Sequence, residues 1–208
     1  MKIWFASGNL HKKKELAAIL KMHGCENELL IPSEAGLEFD PEETESTFYG
    51  NALIKAKALY FLLEQRNLLK NGDAVIADDS GICVDALDGR PGVYSARYGG
   101  KNISANERNI LLLEELGDNP FRTARFTCSM VLMFNPNRFF IAQENCEGEI
   151  VKNIDFAKGS GGFGYDPIMY ITKLGKTVAE LSEDEKNRLS HRGKAGKIIS
   201  KILLKNET

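Results

Sequence analysis

Short apolar segments that alternate with helical segments are the feature that most constrains the fold of this chain. Apolar runs of strand length occupy residues 2–6 (KIWFA) and 74–77 (AVIA), and two longer strand patterns flank the turn at 135–137. Between these runs, apolar side chains recur at helical spacing up to Gly24 and again over residues 47–69. The alternation predicts an α/β protein, and the hairpin predicts a mixed rather than a purely parallel sheet.

Further helix starts are marked by two capping-box patterns, Ser104 with Glu107 and Ser182 with Glu185. The second pattern opens a helical tail that continues with interruptions to Lys205. No repeat, low-complexity tract or Pro/Gly/Ser-rich linker divides the sequence. We therefore expect residues 1–208 to form one domain.

The charges are segregated although their sum is small. The 208 residues include 27 Lys and Arg against 29 Asp and Glu, a formal charge of −2. Residues 26–45 hold eight acids and no base, whereas residues 186–205 hold seven bases and no acid. A nucleic-acid coat needs a net basic field, so we expect no nucleic-acid partner. The pattern allows one local acidic site and one local basic site.

The bulk composition is that of an ordinary globular protein. A hydrophobic share of 43% is too high for a disordered chain, and no apolar run approaches the roughly 18 residues of a membrane span. The four cysteines form no CxxC pair, and the sequence turns polar after Ala6, so we expect neither disulfides nor a signal peptide. These features predict a cytoplasmic protein without a membrane partner.

A phosphate-binding turn is one interpretation of residues 7–12 (SGNLHK). Glycine between a strand and a helix leaves backbone N–H groups at the helix start, where negative charge is favoured, and Lys12 adds a cation. The segment lacks the full G-x-x-x-x-G-K-[ST] pattern and is therefore not a P-loop. An ordinary turn with a helix cap is the alternative.

Two adjacent carboxylates, Asp78 and Asp79, follow the apolar run at 74–77. Oxygen ligands at the end of such a strand suit Mg²⁺. Because neighbouring strand residues point to opposite faces, only one of the pair is expected to face a ligand, and the other is expected to be structural. A solvated turn with capping acids is the alternative.

Two further segments combine glycine with aromatic or basic side chains. Residues 159–167 (GSGGFGYDP) present Phe163 and Tyr165, whose rings suit stacking on a nucleobase or a place in the core. Residues 190–195 (SHRGKA) offer donors at a helix break, suited to a base edge or a phosphate, although an exposed basic helix face is the alternative.

Taken in order along the chain, SGNLHK, ADDSGICVDALDGRPGVYSARYGG at residues 77–100, GGFGYDPI at 161–168 and SHRGKA resemble the inosine triphosphate pyrophosphatase family. The resemblance spans residues 2 to about 200. It implies hydrolysis of nonstandard purine nucleoside triphosphates (ITP, dITP, XTP) to the monophosphate and pyrophosphate, with Mg²⁺ and as a homodimer. Such activity removes these nucleotides before they enter DNA or RNA. It also implies two lobes around a long mixed β-sheet flanked by helices, with the active site in the groove between them.

The resemblance also implies roles for individual residues. Asp79 matches the general base and a metal ligand, and Glu42 the second metal ligand, with Glu43 as the alternative one position on. The positions that match triphosphate binding are Ser7, Gly8, Asn9, Leu10, His11 and Lys12, with Lys55 near the phosphates and Ser80 as a substrate contact. The positions that match the base-binding loop are Phe163, Gly164, Tyr165 and Asp166. The positions that match base recognition and phosphate contact are Lys186, His191 and Arg192.

Two other classes of function stay open at this point. A pyrophosphatase for pyrimidine or modified nucleotides would share the phosphate-binding residues and differ in the base pocket. A non-catalytic nucleotide-binding regulator would keep SGNLHK and SHRGKA but would not need the acids Glu42, Asp78 and Asp79.

Overall fold

The computed structural model describes residues 1–100, 102–159 and 161–206 and confirms the predicted α/β fold with a mixed sheet. Its strands are β1 (Lys2–Phe5), β2 (Glu28–Leu30), β3 (Ala74–Val84), β4 (Thr123–Asn135), β5 (Arg138–Ile150), β6 (Met169–Ile171) and β7 (Lys176–Thr177). Its α-helices are α1 (Leu10–Met22), α2 (Phe48–Gln65), α3 (Ala105–Leu116), α4 (Glu183–Leu189) and α5 (His191–Asn206).

The strands lie in the order β2-β1-β3-β4-β5-β6-β7 in a seven-stranded sheet within the described residues. Strand β1 pairs in parallel with both β2 and β3, whereas β6 pairs antiparallel with β5 and β7. The two-residue connection between β4 and β5 makes the predicted hairpin. Parallel pairing on one side and antiparallel pairing on the other make the sheet mixed.

The chain forms two compact units. Unit 1 comprises residues 1–79, 128–144 and 191–208, and unit 2 comprises residues 80–127 and 145–190. Each unit has a core of its own. That of unit 2 is built by apolar side chains from α3, from the strand segments of this unit and from the short turns around them, among them Ile82, Leu112, Ile150 and Ile168.

In unit 1 the alternation of β1 sends its side chains to two different helical layers. Ile3 and Phe5 join the cluster that contains Leu16 of α1 and Ile199 of α5. Trp4 and Ala6 join the cluster on the opposite face, which α2 covers with Ala52, Ala56, Leu59 and Leu63. The period of two along a strand therefore places α1 and α5 on one face of β1 and β3 and α2 on the other.

Two predicted boundaries were wrong. Helix α2 ends at Gln65 and not near residue 69, because Asn67 adopts a left-handed conformation with φ 53° that a helix does not continue. Strand β3 runs on to Val84, so Asp78, Asp79 and Ser80 lie inside a strand. Asp78 and Asp79 form ion pairs inside the protein, so they do not lie in the solvated turn that was the alternative.

The predicted capping boxes at Ser104 and Ser182 are both present, and Ser190 interrupts the tail between α4 and α5. None of the helices in the described ranges has the length and apolar character needed to span a bilayer.

Candidate functional site

The first group of predicted site residues is the phosphate loop, defined here as residues 7–12 at the start of α1. Asn9 caps the helix, and its side-chain oxygen accepts the N–H groups of His11 and Lys12 at 2.9 and 3.1 Å. Ser7 Oγ accepts the N–H of Asn9 at 3.1 Å. The loop is largely exposed, as a ligand-binding turn must be. However, three of the N–H groups expected to point outward are satisfied within the chain.

The two aspartates of β3 face opposite layers of unit 1. Asp78 continues the row of Ala74 and Ile76, which pack towards α1 and α5, whereas Asp79 continues the row of Val75 and Ala77, which pack towards α2. Both carboxylates are buried, with 1% and 7% of each residue exposed. A buried carboxylate needs charged or hydrogen-bonding partners, and each of the two finds a different set.

Asp79 belongs to a carboxylate cluster formed by Glu43, Asn51, Lys55 and Asp79. Lys55 donates to Glu43 Oε1 at 2.7 Å and lies 3.4 Å from Asp79 Oδ1. Asn51 donates to Asp79 Oδ2 at 3.3 Å. Helix α2 positions both Asn51 and Lys55, which are one helical turn apart and therefore share a face.

Two carboxylates share one ammonium in this cluster, and the pKa shifts reflect that imbalance. Burial raises the pKa of Asp79, and the Glu43 and Asp78 carboxylates add to the rise against the opposing Lys55 and Lys12 charges. Burial lowers the pKa of Lys55, but Asp79, Asp78 and Glu43 outweigh it, so the net shift is upward. The cluster therefore carries an excess of negative charge that a cation would neutralise.

Asp78 belongs to an ion-pair chain formed by Lys12, Asp78, Arg192 and Glu15. Arg192 donates Nε and Nη2 to Asp78 Oδ2 at 3.0 and 2.8 Å and Nη1 to Glu15 Oε2 at 2.6 Å. Lys12 donates to Asp78 Oδ1 at 3.1 Å. Burial raises the pKa of Asp78, but the charges of Lys12, Arg192 and Lys55 outweigh it and hold the pKa well below its usual range. Asp78 is thus the aspartate of the pair whose carboxylate is held in ion pairs with Arg192 and Lys12.

In unit 2, the aromatic loop at residues 161–166 is held by its own side chains. Asp166 Oδ2 accepts the N–H of Phe163 at 2.8 Å, and Gly162, with φ 73°, packs so tightly on the Asp166 carboxylate that a Cβ would collide with it. Asn109 of α3 donates to the Gly164 carbonyl at 3.1 Å. The loop is therefore fixed both internally and from α3. Ser160, which belongs to the predicted glycine-rich segment, lies outside the described residues.

Lys186 lies beside the same loop. Its ammonium donates to Asp166 Oδ2 at 2.8 Å and lies 4.9 Å from the centre of the Phe163 ring. Phe163 is half-buried, whereas Lys186 and Asp166 are buried. The half-buried ring and the fixed ammonium together present an aromatic face and a hydrogen-bond donor, which suits a nucleobase with an acceptor oxygen.

Three of the predicted roles stay predictions, and the structure shows the surroundings of each residue. Glu42 is exposed, and the acid that Lys55 joins to Asp79 is Glu43, one position along. The guanidinium of Arg192 is buried in ion pairs with Asp78 and Glu15. The Tyr165 ring lies in the core of unit 2, and its hydroxyl donates to the Ser95 carbonyl at 2.9 Å, so it anchors the loop.

The remaining predicted residues keep their assignments as predictions. Ser80 directly follows Asp79 in β3, and His191 is buried in the first turn of α5. Three residues that sequence reasoning missed are Glu15, Asn51 and Asn109. Glu15 lies three positions after Lys12, so both lie on one face of α1, and this spacing could have identified Glu15 as a neighbour of Lys12. Nothing in the local pattern marks the two asparagines.

The chain is thus an α/β protein with an exposed capped turn before α1 and a buried carboxylate cluster in unit 1, and with an aromatic loop beside a lysine in unit 2. Features of this kind occur in nucleotide-binding hydrolases. The chain belongs to the Ham1 family, whose model matches residues 3–202, so the family resemblance in the sequence is confirmed.

Relatives and solved structures agree with that membership. A dITP/XTP pyrophosphatase of Treponema denticola is 48% identical, with 98% of each chain covered, and one of Halalkalibacterium halodurans is 44% identical over 98% of this chain and all of that one. The Ham1 protein of Staphylococcus aureus superposes with a TM-score of 0.83 at 36% identity over the full length of both chains.

Proposed function

We propose that this protein hydrolyses nonstandard purine nucleoside triphosphates (dITP, ITP and XTP) to the monophosphate and pyrophosphate, and so keeps them out of DNA and RNA. The observation that carries the proposal is the buried carboxylate cluster in a chain that also holds the phosphate loop. The relatives named dITP/XTP pyrophosphatase, which match nearly the whole chain, support the substrate class.

The reaction is attack of water on the α-phosphorus. A new P–O bond forms to the water oxygen, the bond from the α-phosphorus to its bridging oxygen breaks, and pyrophosphate leaves with that electron pair. Asp79 orients the water and accepts its proton. Lys12 and Lys55 offset the charge that develops on the phosphate oxygens.

The residues present fit a magnesium ion. Mg²⁺ sites in nucleotide-hydrolysing enzymes use one or two carboxylates together with substrate phosphates and water. No group of three or more His, Cys, Asp or Glu side chains that could hold a metal ion occurs in the described ranges. The carboxylates that would hold the ion are those of Glu43 and Asp79, which Lys55 contacts in common. When bound, it would neutralise phosphate charge and polarise the attacked phosphorus.

Selectivity for the base rests on the aromatic loop of unit 2. Hypoxanthine and xanthine carry an acceptor oxygen at the six position, where adenine carries an amino donor. Lys186, fixed by Asp166, would donate to that oxygen, whereas the adenine amino group would face an ammonium with no acceptor. Sites built on such hydrogen bonds reject the wrong partner by roughly 10⁴-fold. Phe163 supplies the face on which the base stacks.

We also infer a homodimer, as the sequence resemblance implies, and a cytoplasmic location stays a prediction. The first half of β5 gives the dimer some support, because Phe139, Phe140 and Ile141 are consecutive and each is more than a third exposed. Phe139 and Ile141, two positions apart, share one face of β5, and exposed apolar side chains on one face favour burial against a partner. Sedimentation of the purified protein would show one species at twice the chain mass.

Pyrophosphate release from a panel of dITP, ITP, XTP, GTP, ATP and dUTP, with Mg²⁺ and with EDTA, tests the proposal. We expect release from the first three nucleotides that depends on Mg²⁺ and exceeds release from ATP by at least 100-fold. Comparable turnover of ATP and ITP would overturn the base assignment. Release from dUTP alone would indicate the pyrimidine alternative, and no release from any nucleotide would reject the enzyme.

A further inference from the structure

The ion-pair chain of unit 1 connects a residue with no assigned role to the phosphate loop. Glu15 lies one helical turn beyond Lys12 on α1, and both side chains reach the same buried centre formed by Asp78 of β3 and Arg192 of α5. The side chains of Asp78 and Arg192 are 0% and 2% exposed, whereas those of Glu15 and Lys12 are 18% and 17% exposed. The chain thus has a buried middle and two ends near the surface.

Each contact in the ion-pair chain restricts the orientation of the next side chain. Glu15 holds Nη1 of Arg192 at 2.6 Å, which fixes the plane of the guanidinium from one side. The Nε and Nη2 groups then meet a single oxygen of Asp78, Oδ2, at 3.0 and 2.8 Å. The other oxygen, Oδ1, is left for the Lys12 ammonium at 3.1 Å. The division of the two carboxylate oxygens therefore depends on how the guanidinium is held.

The Lys12 ammonium is the end of the ion-pair chain that would contact a bound ligand. An ammonium has three donors on a flexible four-carbon stem. One donor is taken by Asp78, which leaves two for phosphate oxygens and removes much of the freedom of the stem before a ligand arrives. Binding that does not have to order a side chain is stronger than binding that does.

A purely stabilising role does not explain this arrangement well. Replacing a buried ion pair by apolar side chains is often neutral or stabilising, because desolvation of the charges offsets their attraction. Arg192 also lies in the first turn of α5, where a cation is unfavourable to the helix dipole unless it is paired. What the chain does achieve is a defined position for Lys12.

We propose that Glu15 is a positioning residue that acts through Arg192 and Asp78 to hold the Lys12 ammonium ready for a polyphosphate. The proposal deepens the function proposed above and rests on it for the identity of the nucleotide. Its direct probe is inorganic tripolyphosphate, which has the charge and spacing of a nucleotide triphosphate but no base and no sugar.

Calorimetric binding of tripolyphosphate to the wild type and to Glu15→Gln is the first test. The glutamine keeps the size of the side chain but removes the charge that holds Arg192. We expect the dissociation constant to rise about tenfold, and the KM for dITP to rise similarly with kcat within about twofold. Glu64→Gln, an exposed acid on α2, is the matched control and is expected to leave both unchanged.

A double-mutant cycle separates positioning from general destabilisation. In a Lys12→Met background, Glu15→Gln should change tripolyphosphate binding by less than about twofold, because the residue through which it acts is gone. Equal effects in both backgrounds, or unchanged binding in the single variant, would overturn the proposal.

Arg192→Lys is the second variant, in case Glu15→Gln folds poorly. Lysine keeps the charge but cannot contact Asp78 and Glu15 with a planar fork, so the same rise in the dissociation constant is expected, whereas unchanged binding would overturn the proposal. The proposed function would be rejected if the wild type bound tripolyphosphate but released pyrophosphate from no nucleotide. The role of Glu15 would then still be decided by comparing tripolyphosphate binding in the wild type and the variants.

Discussion

The Lys186 ammonium donates a hydrogen bond to the Asp166 carboxylate at 2.8 Å, in a contact where both residues are buried. Asp166 accepts the N–H of Phe163 with the same oxygen, so one carboxylate sets both the aromatic loop and the cation beside it. The position of the donor proposed to select the base therefore depends on a residue that does not itself need to touch the base.

Replacing Asp166 by Asn should therefore weaken base selectivity. The amide oxygen still accepts the Phe163 N–H, but the charge that fixes Lys186 is lost. We expect the ratio of kcat/KM for dITP over dATP to fall at least tenfold, measured by pyrophosphate release. Asp155→Asn, an exposed acid in the same unit, is the control. An unchanged ratio would contradict the role given to Lys186.

The metal assignment is tested by two adjacent glutamates. Glu43→Gln removes the carboxylate that Lys55 joins to Asp79, so we expect the Mg²⁺ concentration for half-maximal activity to rise at least tenfold, about 1.4 kcal/mol. Glu42→Gln is the matched control, since Glu42 is exposed, and is expected to change that concentration less than twofold. Reversed behaviour of the two variants would restore Glu42 as the ligand.

Asp79→Asn should abolish most turnover while leaving the fold intact. The amide cannot accept the proton of the attacking water and is a poorer metal ligand, so we expect kcat for dITP to fall at least 100-fold, about 2.7 kcal/mol. Asp88→Asn is a suitable control because Asp88 is exposed with φ 53°, a conformation that asparagine also adopts readily. Turnover of the Asp79 variant within tenfold of the wild type would exclude a catalytic role.

The stability of the protein should fall in acid partly through Asp78. Its pKa is lower in the folded protein than in the unfolded chain, so its contribution is fully present above the unfolded value near pH 4 and is lost as the pH falls towards the folded value. Urea unfolding from pH 6 to pH 3 should show a steeper loss for the wild type than for Asp78→Asn, which starts less stable at pH 6. Parallel curves would show that the ion pairs around Asp78 do not contribute.

Local patterns made much of this structure predictable. The helix starts at Asn9, Ser104 and Ser182 follow from capping residues that satisfy N–H groups nearby in sequence. The strand period indicated that the two aspartates of β3 point to opposite faces. The family resemblance supplied the predicted roles of Lys55, Lys186 and Asp79, which no local pattern distinguishes from other charged side chains.

The sequence alone determined the elements, the mixed sheet and the segments that hold the functional residues, because each depends on periodicity or on hydrogen bonds between neighbours in the chain. Only the tertiary structure decided which contacts form. Glu43 rather than Glu42 pairs with Lys55, the Tyr165 hydroxyl donates to the Ser95 carbonyl, and Arg192 pairs with Asp78 and Glu15. Those assignments depend on which charges are buried together across residues as far apart as Glu15 and Arg192. A buried charge must find its partner in space, and spacing along the chain does not encode which one it finds.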